Sequence, residues 1–144
     1  MSKAWGMPTW IFLHTLLAQM PPSLYSEETL TQIKSLCSVL PCPDCAAHAT
    51  AYLSRITFQQ VPTLDSCRRM MWSFHNTVNL RKRTFLFPFD KMDIYTKTNL
   101  AVVYRVFLIE FTRPRQIPKL FMDSMFRRRI IQQFQLWMNK MVRL

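Results

Sequence analysis

One residue type is almost missing from this chain. Gly6 is the single glycine among 144 residues, against nine prolines. Two-residue hairpins and phosphate-cradling loops both rely on glycine, where φ turns positive or backbone must approach a ligand. The chain is therefore steered away from hairpin-rich sheets and towards helices joined by short connections marked by proline. Hydrophobic residues are 49% of the total, which suits one domain with a proper core. The apolar spacing agrees. Trp10, Leu13, His14 and Leu17 share one helix face, and Pro21-Pro22 ends that helix. Ser26, followed by Glu27 and Glu28, predicts the N-cap of a second helix carrying Leu30, Ile33, Leu36, Cys37 and Leu40. A third is predicted from Pro43 to about Ser54. A fourth, capped by Thr63 or Asp65, sets Cys67, Met70, Met71, Phe74, His75 and Val78 on one broad side. Phe85-Leu86-Phe87-Pro88-Phe89 reads as a packed connector, and two further helices are predicted over 97–110 and 120–144.

Cys42 and Cys45 are the chemical focus. Pro43 fits the first turn of the third helix and places Cys42 at its N-terminus. There the open backbone N–H groups and the helix dipole favour a thiolate and lower its pKa. Cys45 lies one turn in on the same side, so the two sulfurs can close a small ring and open it again, as a redox dithiol does. The same stretch admits a second reading. Cys37, Cys42, Cys45 and His48 offer four zinc-type ligands within twelve residues, with Cys67 as a spare. A third reading is two structural thiols. Cys37 sits on the apolar stripe of the second helix, which weakens the zinc reading, but this stretch alone leaves all three open.

The charge is uneven. Net charge is +11; residues 1–72 carry five basic and four acidic side chains, residues 73–144 fourteen and four. Such a half implies an anionic contact, nucleic acid or another acidic surface, or else a solvated basic face. The longest apolar run, Leu100 to Ile109, contains Arg105, so no membrane span is expected. No secretory leader is read at the N-terminus, and the expected location is cytoplasmic: the host-cell cytoplasm, with the virion as a further place, if the chain is viral.

Three blocks follow one another: W-G-x-x-T-W-x-x-L-H over Trp5–His14, L-P-C-x-x-C-x-x-H over Leu40–His48, and F-H-N-x-V-N over Phe74–Asn79, with Arg81-Lys82-Arg83 after it. In that order they resemble the flavin-linked sulfhydryl oxidases of the Erv/ALR type, most of all the short versions of large DNA viruses. The resemblance covers about residues 5–83. It implies an all-α fold, a small four-to-five-helix bundle over residues 1–84 that binds FAD, and a homodimer. Residues 85–144 would form a basic helical extension, packed on that core or offering a dimer or partner surface. It also implies a thiol oxidase that passes electrons through FAD to O2, giving hydrogen peroxide, with a dithiol protein or small thiol carrier as substrate.

The resemblance makes Cys42 the outer, interchange cysteine and Cys45 the one facing the flavin. Trp10, His14, His75 and Asn76 would pack against the flavin. Val78 and Asn79 would line the adenosine side, with Lys82 or Arg83 towards the pyrophosphate. Gly6, His48 and Trp72 complete the expected cofactor surface, and no metal is expected. The pattern departs from the family at two points. The tryptophan that usually stands five residues before the motif histidine is replaced by Met70, with Trp72 three before it. An extra cysteine pair on a flexible arm is not evident. The competing function is a zinc-stabilised, basic nucleic-acid-binding module.

Overall fold

The computed structural model describes residues 4–114 and 124–142. Among these, six α-helices and three short 3-10 segments account for the ordered backbone, and no strand occurs. The helices are α1 (Gly6–Gln19), α2 (Glu27–Cys37), α3 (Pro43–Leu53), α4 (Leu64–Arg81), α5 (Leu100–Thr112) and α6 (Ser124–Met141). The fold is all-α, as the glycine content and the apolar spacing predict. None of the described helices is long and apolar enough to cross a membrane.

Local chemistry sets most of the boundaries. Thr63, not Asp65, caps α4, its hydroxyl accepting the Ser66 N–H at 3.1 Å. Ser26 opens α2, where the Thr29 hydroxyl accepts the Ser26 N–H at 3.2 Å. Asn99 caps α5 through the Val102 N–H at 3.1 Å, so that helix begins at Leu100, three residues later than its pattern suggests. The predicted helix over 120–144 is described as Ser124–Met141; residues 120–123, with Phe121, lie outside the described residues.

The hub is α1. Phe12, Leu13, His14, Thr15, Leu16 and Leu17 are all buried, so this helix is covered on nearly every side. It packs against α4, α5 and the 3-10 segment Phe89–Thr96, while α2 packs against α3 and α6. Gln19 ties the end of α1 to that segment, its amide donating to the Tyr95 carbonyl at 3.0 Å and also to the Thr98 carbonyl. The two C-terminal helices share the same core. Phe12 of α1 stacks on Phe107 of α5 at 4.6 Å and meets Phe134 of α6 edge-on at 5.9 Å. Phe107, Phe111, Phe134, Trp137 and Met138 are as buried as any residue of the first four helices.

The connector after α4 is held differently from what its composition suggests. Phe85 is 95% exposed and Leu86 56% exposed. What fixes the segment is backbone hydrogen bonding. Asn76 clamps Phe87 from both sides, its Nδ2 donating to the Phe87 carbonyl at 3.0 Å and its Oδ1 accepting the Phe87 N–H at 2.8 Å. Trp72 Nε1 donates to the same carbonyl at 2.6 Å.

Candidate active site

Cys42 is the N-cap of α3, with Pro43 in the first helical position. Its backbone is extended, and its Sγ accepts the Cys45 N–H at 3.3 Å. The sulfur thus sits on an open amide at the positive end of a helix, a position that stabilises an anion. Proline at this point satisfies the helix geometry without needing a partner for an N–H it lacks. Both cysteines are partly exposed. The other two thiols are unlike them. Cys37 and Cys67 are buried, and burial pushes Cys37 up to about 12 and Cys67 up to about 11. Neither is a thiolate near neutral pH. Among the described residues no group of three or more His, Cys, Asp or Glu side chains is placed to hold a metal ion. The zinc reading therefore finds no ligand set there.

Cys45 forms part of the wall of a cleft of about 240 Å³ between α1, α3 and α4. Gly6 and Trp10 of α1, His48 of α3, and Val78 and Lys82 at the end of α4 line the same cleft. Six of the thirteen candidate residues are thereby brought to one place from three helices. Trp5, Leu40, Phe74 and Arg81 also line it and were not singled out from sequence. Phe74 had a signal, its place beside His75 in the third motif, and Arg81 had one in the basic run. Trp5 and Leu40 had one as well, each being the first residue of a motif. The lining is apolar and aromatic inside, with exposed Arg81 and Lys82 at the mouth.

Behind the cleft runs a column of rings. Trp10 stacks on His75 at 4.0 Å with the planes 7° apart, and His14 stacks on Tyr95 at 4.9 Å. His14 Nε2 and His75 Nδ1 are 2.9 Å apart, so one imidazole donates its proton to the other's bare nitrogen. Burial, then the neighbouring His75, lowers His14 to about 3. Burial, then the charge of Lys82, lowers His75 to about 4. Both rings are neutral at pH 7. His14 Nδ1 is buried without a hydrogen-bond partner, a polar atom this fold leaves for something else. His48 is also held below the usual histidine range, by burial and then by Arg81. Tyr95, which closes the column, lies far along the chain from His14 and carried no local signal.

The remaining candidates are elsewhere. Trp72 and Asn76 do not line the cleft; their polar groups hold Phe87 of the connector. The sequence places Asn76 beside His75, but a helix turns consecutive residues by about 100°, so they face different neighbours. Asn79 gives its carbonyl to the Thr84 N–H at 2.9 Å. Arg83 is exposed just past α4, in the left-handed region with φ 56°. Its N–H bonds the Leu80 carbonyl at 3.1 Å, which with the Thr84–Asn79 bond makes a Schellman ending in the position glycine usually fills.

A flat heteroaromatic group ending in a diphosphate fits this set: aromatic walls, a sulfur beside them, and two cations at the mouth. Comparison with known proteins points the same way. The profile of the Erv1 / Alr family matches residues 7–97. The FAD-linked sulfhydryl oxidase ERV1 of Arabidopsis thaliana is 32% identical over 91 residues, 61% of this chain and 47% of that protein. Protein 096R of Invertebrate iridescent virus 3, which carries the same enzyme name provisionally, is 36% identical over 86 residues, 55% of this chain and 56% of its own. The chain thus spans about half the length of these curated relatives. No solved structure matches it. The family profile covers well over half of the chain, with the second and third motifs and most of the first inside its span, and the chain belongs to the Erv1 / Alr family.

Proposed function

We propose that this chain is an FAD-linked sulfhydryl oxidase that converts pairs of thiols in a protein substrate into disulfides. One observation carries the reading: Cys45, Trp10 and Lys82 line a single cleft in a chain of this family. FAD, when bound, takes up the electron pair removed from the thiols and delivers it to O2 as hydrogen peroxide. Trp10 supplies a flat face, with the neutral His14 and His75 behind it. Gly6 leaves the wall open, since a Cβ built there meets nothing within 4 Å. Val78 serves the adenosine side, and Lys82 and Arg81 the diphosphate. The same reading includes a homodimer and work in the cytoplasm.

The thiol chemistry follows from the two sulfurs. In the oxidised protein a substrate thiolate attacks Cys42 Sγ of the Cys42–Cys45 disulfide. A substrate–Cys42 bond forms, the intramolecular S–S bond breaks, and Cys45 leaves as a thiolate towards the cleft. The substrate's second thiolate then attacks its own sulfur in the mixed disulfide, and Cys42 leaves as a thiolate. The substrate has lost two electrons and two protons, and the pair holds the electrons. The Cys45 N–H on Cys42 Sγ makes that sulfur a better leaving group.

The test is spectroscopic. Purified protein is expected to be yellow and to lose its flavin absorbance when dithiothreitol is added without oxygen. Replacing Cys45→Ser should leave the flavin bound and abolish thiol-driven oxygen uptake. A colourless protein, or a Cys45→Ser variant with unchanged uptake, overturns the reading.

A further inference from the structure

The family match ends at residue 97, yet the chain beyond it returns to the redox end of the molecule. The start of α6 is anchored on the α2–α3 turn. Arg127 Nε donates to the Val39 carbonyl at 3.1 Å, and the guanidinium lies over the Phe111 ring, 5.6 Å from its centroid. Between α6 and the outer face of α3 this leaves a second groove, about 590 Å³. Leu40 and Pro43, which flank Cys42 in sequence, form its inner end. Ala47 and Thr50 of α3 form the floor and Phe126 of α6 the far wall. Among the described residues Phe126 stays 55% exposed, an aromatic ring at the edge of this groove. Arg128 and Arg129 follow in the same helix and are exposed. The whole of α6 contains Arg127, Arg128, Arg129 and Lys140 and no acidic residue.

We propose that this groove docks the thiol-bearing segment of the protein substrate, a segment with apolar side chains for the groove and acidic ones for α6. The proposal rests on the oxidase reading for the identity of the thiols. Position supports it: a chain that brings a sulfur to Cys42 passes the inner end of the groove. Charge supports it too. Arg128 and Arg129 attract an acidic segment, whereas a second copy of this chain would bring the same arginines against them. The helix absent from the family match thereby selects the substrate while the thiol chemistry stays on α3, and small thiols have no use for it.

The experiment uses the full-length, flavin-loaded protein and three probes. They are dithiothreitol, a peptide with two cysteines flanked by leucine, phenylalanine and glutamate, and the same peptide with lysine for glutamate. The variants are Ala47→Arg, which fills the groove from an exposed position, and Arg128→Glu with Arg129→Glu. Both are expected to raise KM for the acidic peptide at least tenfold, with kcat and dithiothreitol turnover unchanged. The charge reversal should reverse the preference between the two peptides. Equal KM values in wild type and both variants, with normal dithiothreitol turnover, overturn the proposal. A fluorescent acidic peptide with both cysteines replaced by serine reads docking without redox chemistry. If dithiothreitol turnover is absent in the wild type, the oxidase reading fails, and this polarisation assay still decides the groove. Sedimentation that shifts from dimer to monomer in Ala47→Arg would give the groove to a second copy and also overturn the proposal.

Discussion

Three residues at or near the candidate site hold conformations or charge states that the fold imposes at a cost. Arg83 adopts φ 56° where most helices use glycine. An L side chain there costs about 1 kcal/mol, and glycine removes that cost while adding some unfolded-state freedom. Arg83→Gly is expected to raise the melting temperature of the flavin-free protein by a few degrees, as calorimetry would show. If the arginine also meets the diphosphate, the same variant binds FAD more weakly, and the two readouts part company. The histidine pair gives a pH dependence. Both folded values, about 3 and about 4, lie below the unfolded value of 6.5, so the unfolded chain binds more protons between them. Stability is therefore unaffected above about pH 6.5 and falls as the pH drops towards 4, by roughly 2 kcal/mol per histidine at pH 5. Thermal melts from pH 8 to pH 4.5 check this. His75→Asn should flatten the acid limb.

At the scale of elements, the connector shows how a segment can be ordered without burying its largest side chains. Phe85 and Leu86 are exposed, and yet the Phe87 backbone makes three hydrogen bonds with Trp72 and Asn76, accepting two and donating one. Asn76→Ala deletes two of them and is expected to cost about 1–3 kcal/mol. Faster hydrogen exchange at the Phe87 amide, measured by mass spectrometry or NMR, would register the loss. The Phe89–Thr96 segment follows directly and carries Tyr95 to His14, so the clamp also positions one end of the ring column. Near-UV dichroism of Asn76→Ala should change, while its helix signal does not.

For the whole molecule the decisive fact is that α5 and α6 complete one core with α1. A chain ended at residue 97 keeps the family match but uncovers Phe12, which Tyr104, Phe107 and Phe134 surround. Such a truncation is expected to lose cooperative unfolding and to bind a hydrophobic dye. Trp137→Ala, a milder cut into the same core, should cost about 3–5 kcal/mol in urea denaturation. Most of the helices and their starts were legible because capping and apolar spacing act over a few residues: Ser26, Thr63 and the Pro43 start are read directly from neighbours, whereas α5 begins three residues later than expected. The placing of the two sulfurs was legible for the same reason, since three residues of spacing fix Cys42 at a helix start and Cys45 one turn in. Which motif residues share the cleft was not, because that depends on how helices far apart in sequence cross. Gly6, Trp10, Cys45, His48, Val78 and Lys82 converge there, while Trp72 and Asn76, in the same motif-bearing helix, turn to the connector instead. The sequence determined the helices, their ends and the sulfur pair, all local in origin. Only tertiary packing decided the cleft, the neutral histidine pair and the groove beside Cys42, since each depends on non-local contacts.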